Sequence, residues 1–325
     1  MAPRKHRHNT GMHLIIPYAS GLSDGCLAAQ ASLKLPHLQR LLDRCHPSPP
    51  DAGDALSLSP PHERVLARAI GLGLADGQIA WAALRAREHP QLPDGGAWAF
   101  ITLCHWQVHT HHIAMSHLPL PELTQAESAA LLAAMRPYFK EDGIALFDDQ
   151  PGRWLAQAEL FADLACAAPD RAAGRNLAHW MPGSVKAAPL RRLQNEMQML
   201  LYTHPVNDAR QARGVTPVNS FWLSGTGALP SGYRMPDASA QPTLVNTLRA
   251  AALADDWLAW TQAWQTLDAT EIRLMLQHLA CGQPVQLTLC GERSSQCWHG
   301  QKLSAWQSFK HLFASQPLCT VLEKL

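Results

Sequence analysis

The chain has 325 residues, 47% of them apolar and 16% charged, and its formal net charge is +1. This composition excludes a disordered protein, and the near-neutral charge gives no reason to expect nucleic acid or an anionic membrane as a partner. The length is sufficient for a large core and for two lobes. Eight cysteines without a C-x-x-C pair indicate reduced, buried thiols.

The N-terminal part is predicted to contain one strand followed by helices. Residues 1–11 are expected to be a disordered basic leader, and MHLIIPY from Met12 predicts a buried opening strand. The apolar run stops at Pro17, which is too early for a signal peptide or a membrane span, so we expect a cytoplasmic protein. After a Ser/Gly loop at 20–25, LPHLQRLLDRC and HERVLARAIGLGL predict two helices.

The middle of the chain mixes strand and helix patterns. Residues 98–115 are rich in aromatic and β-branched side chains and predict one or two strands. LTQAESAALLAAMRPYF predicts a helix capped by Thr124, with Glu127 at the capping-box position. GIALFDD and GRWLAQAE predict a hairpin. LRRLQNEMQMLLYTH predicts a helix that Pro205 must end. A loop, the strand VNSFWLSG and a glycine turn in GTGALPSG are expected to follow.

The C-terminal part completes an alternating pattern. Residues 243–280 are predicted to be almost wholly helical, and the spacing of Trp257, Trp260 and Trp264 indicates core packing. PVQLTLC predicts a late buried strand, and residues 300–325 predict a final helix. Because strands alternate with helices, the sequence predicts an α/β fold with a largely parallel sheet.

A polar stretch between residues 204 and 227 is the strongest candidate for a ligand site. Open α/β sheets bind ligands beyond the carboxyl ends of their strands, and a Gly-x-Gly turn there exposes backbone N–H groups to an anion. Arg210 and Arg213 are suited to gripping phosphate or carboxylate. The alternative is that these polar groups only hold a loop together. The predicted ligand-binding residues are Asn207, Asp208, Arg210, Arg213, Asn219, Ser220, Gly225 and Gly227.

Two further groups are candidates for chemistry. Glu196 and His204 are predicted two turns apart on one helix end, where burial of Glu196 would suit it to acid–base catalysis. The alternative is a structural hydrogen bond to the loop that follows. His105, His109 and His111 would share one face of a strand and are candidate ligands for a divalent metal. The alternative is that they are solvated or face a protein partner.

Several motifs resemble a known family. H-P-x-N-x-x-R, G-x-x-P-x-N and W-L-x-G-x-G between residues 204 and 227 resemble a segment of the archaeal-type, cofactor-independent phosphoglycerate mutases, of the alkaline phosphatase superfamily. HLIIPYASGLSD resembles that family's first metal-binding strand, and LPHLQRLL resembles the T-P-N-L-x-x-L helix after it. SLSPPHE, CHWQV, RRLQNEMQMLLYTHPVNDAR and LTLCGER are similar to the RpfE-type regulatory proteins of proteobacteria.

The resemblance implies an alkaline-phosphatase-like core in residues 12–95 and 215–325, with an inserted α+β lobe in residues 96–214. It also implies two metal ions and a phosphorylated Ser nucleophile. The chain departs from that pattern where Tyr18-Ala19-Ser20 replaces an Asp-Gly, and where TLCGER replaces an Asp-His pair. Two-metal phosphoryl transfer needs carboxylates at such positions.

The sequence therefore predicts a non-catalytic or regulatory protein that binds a small phosphorylated or carboxylate ligand, with no confidently assigned cofactor. The alternative is an active metal-dependent phosphatase or phosphomutase. Its ligands to a divalent metal would be rearranged and drawn from Asp24, Glu196, His204, Asp208 and the histidines of 105–112. A third hypothesis is a module that binds a protein partner through the Trp-rich helix or the His-rich strand.

Overall fold

The structure is a computed structural model that describes residues 11–73, 75–116, 118, 120–301 and 316–325. The predicted leader, apart from residue 11, and most of the predicted C-terminal helix lie outside the described residues. The strands are β1 Met12–Ile16, β2 His46–Pro47, β3 Asp51–Ala52, β4 Ala97–Cys104, β5 Trp106–Val108, β6 Ile113–Met115, β7 Ala145–Gln150, β8 Arg153–Gln157, β9 Ser220–Ala228, β10 Thr243–Leu244, β11 Val285–Cys290 and β12 Ser294–Gly300.

Helices occur throughout the described chain, and five of the eleven connections between consecutive strands contain them. They are α1 Asp24–Ser32, α2 Pro36–Leu42, α3 Pro61–Ala69, α4 Trp81–Ala86, α5 Gln125–Glu141, α6 Pro169–Ala172, α7 Ala188–Tyr202, α8 Pro205–Ala212, α9 Arg249–Leu253, α10 Trp257–Leu267, α11 Arg273–Ala280 and α12 Leu318–Glu323. Within the described ranges, no helix is both long and apolar enough to cross a membrane.

The chain divides into two compact units, and the first contains a mixed sheet. This unit comprises residues up to 55, residues 61–71 and residues from 235 onward. β10, β1 and β11 are parallel neighbours, whereas β12 runs antiparallel to β11 and also pairs with β2 and β3. The expectation of a largely parallel sheet is therefore corrected to a mixed one. Only three residues separate β11 from β12, which is too few for the crossover that a parallel pair needs.

Tryptophans and aliphatic residues fill the core of the first unit. Trp260 and Trp264 are fully buried, and their rings meet edge to face with centroids 6.2 Å apart. They pack among leucines of β1 and β11 and of helices α2 and α11. The predicted burial of these two tryptophans is confirmed. Burying a helical stripe of aromatic side chains removes a large apolar area from water, which stabilises this core.

The second unit comprises residues 56–60 and 72–234 and contains an antiparallel sheet in the order β7-β8-β4-β9. β5 and β6 form a separate hairpin. α5 and α7 bury their apolar faces on the core of this unit. The unit extends beyond the expected lobe of 96–214, because β9 pairs along most of its length with β4.

Local signals predicted several elements of the second unit, and the segment after α7 is one that needs correction. The capping box of α5 is confirmed, since Thr124 Oγ1 accepts from the Glu127 N–H and Glu127 Oε2 accepts from the Thr124 N–H. The predicted β7–β8 hairpin is confirmed. The loop expected after His204 is instead helix α8. Pro205 occupies its first turn, and His204 Nδ1 accepts from the Val206 N–H at 3.2 Å, so the segment begins a new helix.

Candidate functional site

Asn207, a predicted ligand-binding residue, forms three hydrogen bonds to the backbone of its own unit. It is almost fully buried on α8. Its Nδ2 donates to the Leu201 carbonyl at 2.7 Å and to the Val218 carbonyl at 2.6 Å, and its Oδ1 accepts from the Val218 N–H at 2.8 Å. Asn207 therefore ties the end of α7 to the segment that leads into β9.

Arg210 is fully buried, and backbone carbonyls take most of its hydrogen bonds. Nε donates to the Thr216 carbonyl at 2.9 Å, and Nη2 donates to the Pro121 carbonyl at 2.8 Å. Nη1 donates to the Glu122 carbonyl at 3.2 Å and lies 3.3 Å from Glu127 Oε2. The guanidinium satisfies the loop before α5 and the loop after α8, and it has no exposed surface for an anion.

Glu127 supplies the negative charge for this arginine and for a second one. Arg213 Nη2 donates to its Oε1 at 2.7 Å. Partial burial raises the pKa of Glu127, but hydrogen bonds from Thr124 and Arg213 and the charge of Arg210 lower it more, to about 2. The predicted anion grip of Arg210 and Arg213 is therefore already directed at a carboxylate of the protein itself.

Asn219, which directly precedes β9, also uses its side chain to join two backbone segments. Its Oδ1 accepts from the Trp106 N–H at 2.6 Å, and its Nδ2 donates to the Trp106 carbonyl at 2.9 Å. The side chain thus mimics a β-ladder partner for the start of β5. We call Asn207, Arg210 and Asn219 the asparagine–arginine framework, because each joins separate backbone segments. Ser220 is buried at the start of β9 opposite Cys104, and Asp208 is exposed on α8.

Gly225 and Gly227 lie inside β9, which corrects the expected Gly-x-Gly turn. Both have positive φ, 63° and 134°, and the β4–β9 register shifts between Trp98 and Phe100, opposite them. A Cβ at Gly225 would lie 2.9 Å from a Phe100 ring carbon. The glycines permit a β-bulge and a close approach of neighbouring side chains. Their positions explain the motif without a phosphate.

Glu196 and His204 do not form the expected pair on one helix end. Glu196 is on α7 with its side chain 39% exposed, and it lies 3.6 Å from Arg192 Nε. His204 caps the next helix, α8, through Nδ1. The side chain of Glu196 is partly exposed rather than buried, which corrects that expectation, and Nδ1 of His204 is used as the N-cap of α8.

The histidines after β4 are not aligned on one strand face, which corrects that expectation. β5 and β6 form a hairpin, and His109, His111 and His112 lie in the connection between them. The rings of His109 and His112 stack with centroids 4.7 Å apart, while His105 Nδ1 is 2.9 Å from the Pro217 carbonyl. In the part of the chain that the structure describes, no three His, Cys, Asp or Glu side chains are grouped to hold a metal ion.

The carboxyl ends of β1 and β11 lie side by side in the first unit, since these strands are parallel neighbours. Tyr18, just after β1, has a positive φ of 58°, and its ring centroid is 5.5 Å from that of His62. Ser20 Oγ accepts from Gln30 Nε2 at 3.0 Å. Burial raises the pKa of the Cys290 thiol at the end of β11, so it stays protonated at neutral pH. The side chains after β1 and at the end of β11 therefore include a ring near His62, a bonded hydroxyl and a neutral thiol.

A cleft of about 530 Å³ in the second unit is lined by functional candidates that the sequence did not predict. One side of the cleft is formed by the end of α4 and the loop that leads to β4, and the other side by the turn after β9. Its polar lining residues include Arg87, His89, Asp94 and Tyr233. Arg87 is exposed, and its Nη1 lies 3.3 Å from the Tyr233 carbonyl. No motif marks these residues, since they come from segments that are far apart in the sequence.

His89 connects this cleft to a buried ion cluster. Its Nε2 is 3.2 Å from Oδ1 of Asp149, whose side chain is fully shielded from solvent. Arg85 Nε and Arg153 Nη2 each donate to Asp149 at 2.7 Å. Burial raises the pKa of Asp149, but the hydrogen bonds and charges of both arginines lower it by more, so the pKa lies below its usual value. The carboxylate therefore stays ionised and can only accept a hydrogen bond from His89.

The described residues thus form a two-unit, mixed α/β protein. No protein-family model matches the chain. Over 76 residues, 23% of the chain, it is 30% identical to the 2,3-bisphosphoglycerate-independent phosphoglycerate mutase of Methanosarcina barkeri. The match spans only 19% of that relative's length. The chain therefore has a local, distant similarity to a phosphoglycerate mutase, in agreement with the resemblance of its motifs.

Two solved structures are similar at low identity. The PH0037 protein from Pyrococcus horikoshii gives a TM-score of 0.42 at 12% identity, over 90% of this chain and 88% of that one. The cofactor-independent phosphoglycerate mutase from Thermoplasma acidophilum gives a TM-score of 0.35 at 11% identity, over 96% and 99% of the two chains.

Proposed function

We propose that this chain is a cytoplasmic, non-catalytic or regulatory protein on a scaffold related to the cofactor-independent phosphoglycerate mutases. In the finer form of this proposal, the core is alkaline-phosphatase-like and the protein acts as an RpfE-type regulator. The local similarity to the Methanosarcina enzyme supports the relationship. The side chains at the ends of β1 and β11 support the loss of the reaction.

Those side chains are the single observation on which the proposal depends. A two-metal phosphotransfer centre needs clustered carboxylates and imidazoles around the cations and a hydroxyl nucleophile between them. Tyr18 follows β1 with its ring against His62, and the thiol of Cys290 at the end of β11 is neutral. The residues present at this edge do not fit a pair of divalent metal ions.

Two carboxylates near this edge, Asp51 and Glu292, have protein partners. Asp51, on β3, lies 3.1 Å from Arg64 Nε and 2.6 Å from Arg68 Nη2, so its charge is balanced by two guanidinium groups. Glu292, just after β11, accepts a hydrogen bond from the Leu22 N–H at 3.3 Å. A metal ion would have to compete with these contacts for each oxygen.

The test measures metal content and turnover together. The purified full chain is incubated with manganese, desalted and analysed by mass spectrometry, and the interconversion of 3- and 2-phosphoglycerate is then assayed with manganese supplied. We expect substoichiometric metal and no interconversion above the rate without protein. The Methanosarcina barkeri enzyme, treated identically, is the positive control.

The opposite result would support the alternative of an active metal-dependent phosphatase or phosphomutase. Two bound ions per chain, with turnover of phosphoglycerate or a generic phosphate ester, would refute the proposal. His204→Ala then tests the rearranged ligand set, because turnover through that set would be lost in the variant. Its control is His179→Ala, which removes a histidine outside that set from the second unit.

A further inference from the structure

The cleft in the second unit has the size and lining of a small-molecule site. We propose that it binds a small carboxylic acid that also carries a hydroxyl or ammonium group. Its volume of about 530 Å³ falls within the range of ligand pockets. Leu92, Trp98 and Leu229 provide apolar surface, and a few polar side chains provide direction.

Arg87 is the group that would bind the carboxylate. Its guanidinium is exposed, and the described residues provide it only with the carbonyl of Tyr233 and, at 5.8 Å from Cζ to the centroid, the ring of Tyr233. A guanidinium has five N–H donors, so most of them remain for a ligand. The two contacts with Tyr233 also restrict the side chain, which lowers the entropy cost of binding.

His89 supplies an acceptor for a hydrogen-bond donor on the ligand. In the neutral form of the ring, the hydrogen bond from Nε2 to the ionised Asp149 leaves a lone pair on Nδ1. Nδ1 has no hydrogen-bond partner among the described residues. A hydroxyl or ammonium group on the ligand would donate to this nitrogen, whereas a simple fatty acid has no such donor.

The charge of the lining favours a monoanion over a phosphate dianion. Arg85 and Arg153 are paired with Asp149 and Glu88, and among the described residues that line the cleft Arg87 is the one arginine or lysine. Asp94, an exposed acid, also lines it. One cation and one acid in the lining match a ligand that carries a carboxylate and a neighbouring hydrogen-bond donor. A phosphate dianion carries two negative charges, and a single guanidinium would not offset both of them in addition to the repulsion from Asp94.

The experiment uses ligand-observed NMR titrations of the full chain with glycerate, serine, propionate and inorganic phosphate as separate probes. We expect saturable binding of glycerate or serine below about 10 mM. Propionate, which lacks the donor, should bind at least about threefold more weakly, because the acceptor on His89 is then unpaired. Phosphate should be the weaker anion.

Variants separate the two binding groups. Arg87→Ala should weaken the affinity for the acid about tenfold, because a charge-assisted hydrogen bond is lost. His89→Phe should remove the preference for glycerate over propionate while keeping some affinity for both. Arg234→Ala is the matched control, since Arg234 is exposed next to Tyr233 but does not line the cleft.

Several outcomes would overturn the inference. These are the absence of saturable binding of glycerate and serine, equal affinity of wild type and Arg87→Ala, and tighter binding of phosphate than of any acid. Thermal melting of each variant excludes unfolding as the cause of a loss. The site lies in the second unit and does not depend on the proposed function, so metal content and mutase turnover can fail or succeed separately.

Discussion

Two arginines of the second unit carry the same charge and have opposite uses. Arg210 is fully buried in the asparagine–arginine framework, and three carbonyls and one carboxylate surround its guanidinium. Arg87 is exposed at the cleft and has a single hydrogen bond among the described residues, to a carbonyl. A polar motif therefore does not by itself mark a ligand site. What matters is how many donors the protein leaves unpaired.

Removing the buried arginine is expected to have the largest effect. Arg210→Met leaves buried carbonyls without their donor and removes a charge partner from Glu127, so we expect a loss of about 3 kcal/mol in the free energy of unfolding. Urea titration followed by tryptophan fluorescence measures it. Arg136→Met, at an exposed position of α5, is the control and should change stability by less than about 0.5 kcal/mol. A loss of stability in Arg210→Met as small as that in the control would contradict the structural role of Arg210.

Asn207 should have the next largest effect. Asn207→Ala removes three hydrogen bonds and leaves the Val218 N–H buried without an acceptor, so we expect a loss of about 2 kcal/mol. The neighbouring Asp208→Ala is the matched control. Asp208 is exposed in the first turn of α8 and contributes through the helix dipole, which should limit its effect to less than about 1 kcal/mol. Equal losses in the two variants, measured by urea unfolding, would contradict the structural role of Asn207.

Two glycines of the second unit share a positive φ but differ in their surroundings. Gly225 has φ of 63° and a Phe100 ring carbon 2.9 Å from the position of a Cβ, whereas Gly232, at the cleft, has φ of 72° and open space around that position. Alanine at Gly232 should cost about 1 kcal/mol through backbone strain alone. At Gly225 the contact adds to the strain, and we expect about 2 kcal/mol. Differential scanning calorimetry of both variants gives the difference.

The smallest expected effect is a gradual loss of stability as the pH falls. The pKa of Glu127 is about 2 in the folded chain, below its value of 4.5 in an unfolded one. The unfolded chain therefore binds more protons, so the contribution of Glu127 to stability is complete above pH 4.5 and declines as pH falls toward about 2. Urea midpoints measured at pH 7, 4.5 and 3 should fall less steeply in Glu127→Gln, which keeps the capping box but not the charge. An unchanged slope would show that Glu127 does not hold the framework by charge.

Much of the fold could be predicted because its signals are local. Thr124 and Glu127 are three residues apart, and they form the predicted capping box of α5. The turn residues around Gly152 gave the β7–β8 hairpin, and the tryptophan stripe of α10 gave a buried face. The antiparallel β12 was missed because its sequence, SSQCWHG, is polar and lacks the alternation of a half-buried strand.

The candidate site was harder to predict, because its geometry depends on distant contacts. The sequence by itself determined which residues carry charge, where helices begin and which stripes are apolar, since these follow from side-chain chemistry over a few neighbouring residues. Only the tertiary structure decided that Arg210 is enclosed by residues 121, 122, 127 and 216 and that His89 meets Asp149, 60 positions away. Whether a donor is free for a ligand depends on which carbonyls folding brings within about 3 Å, and sequence spacing does not encode that distance.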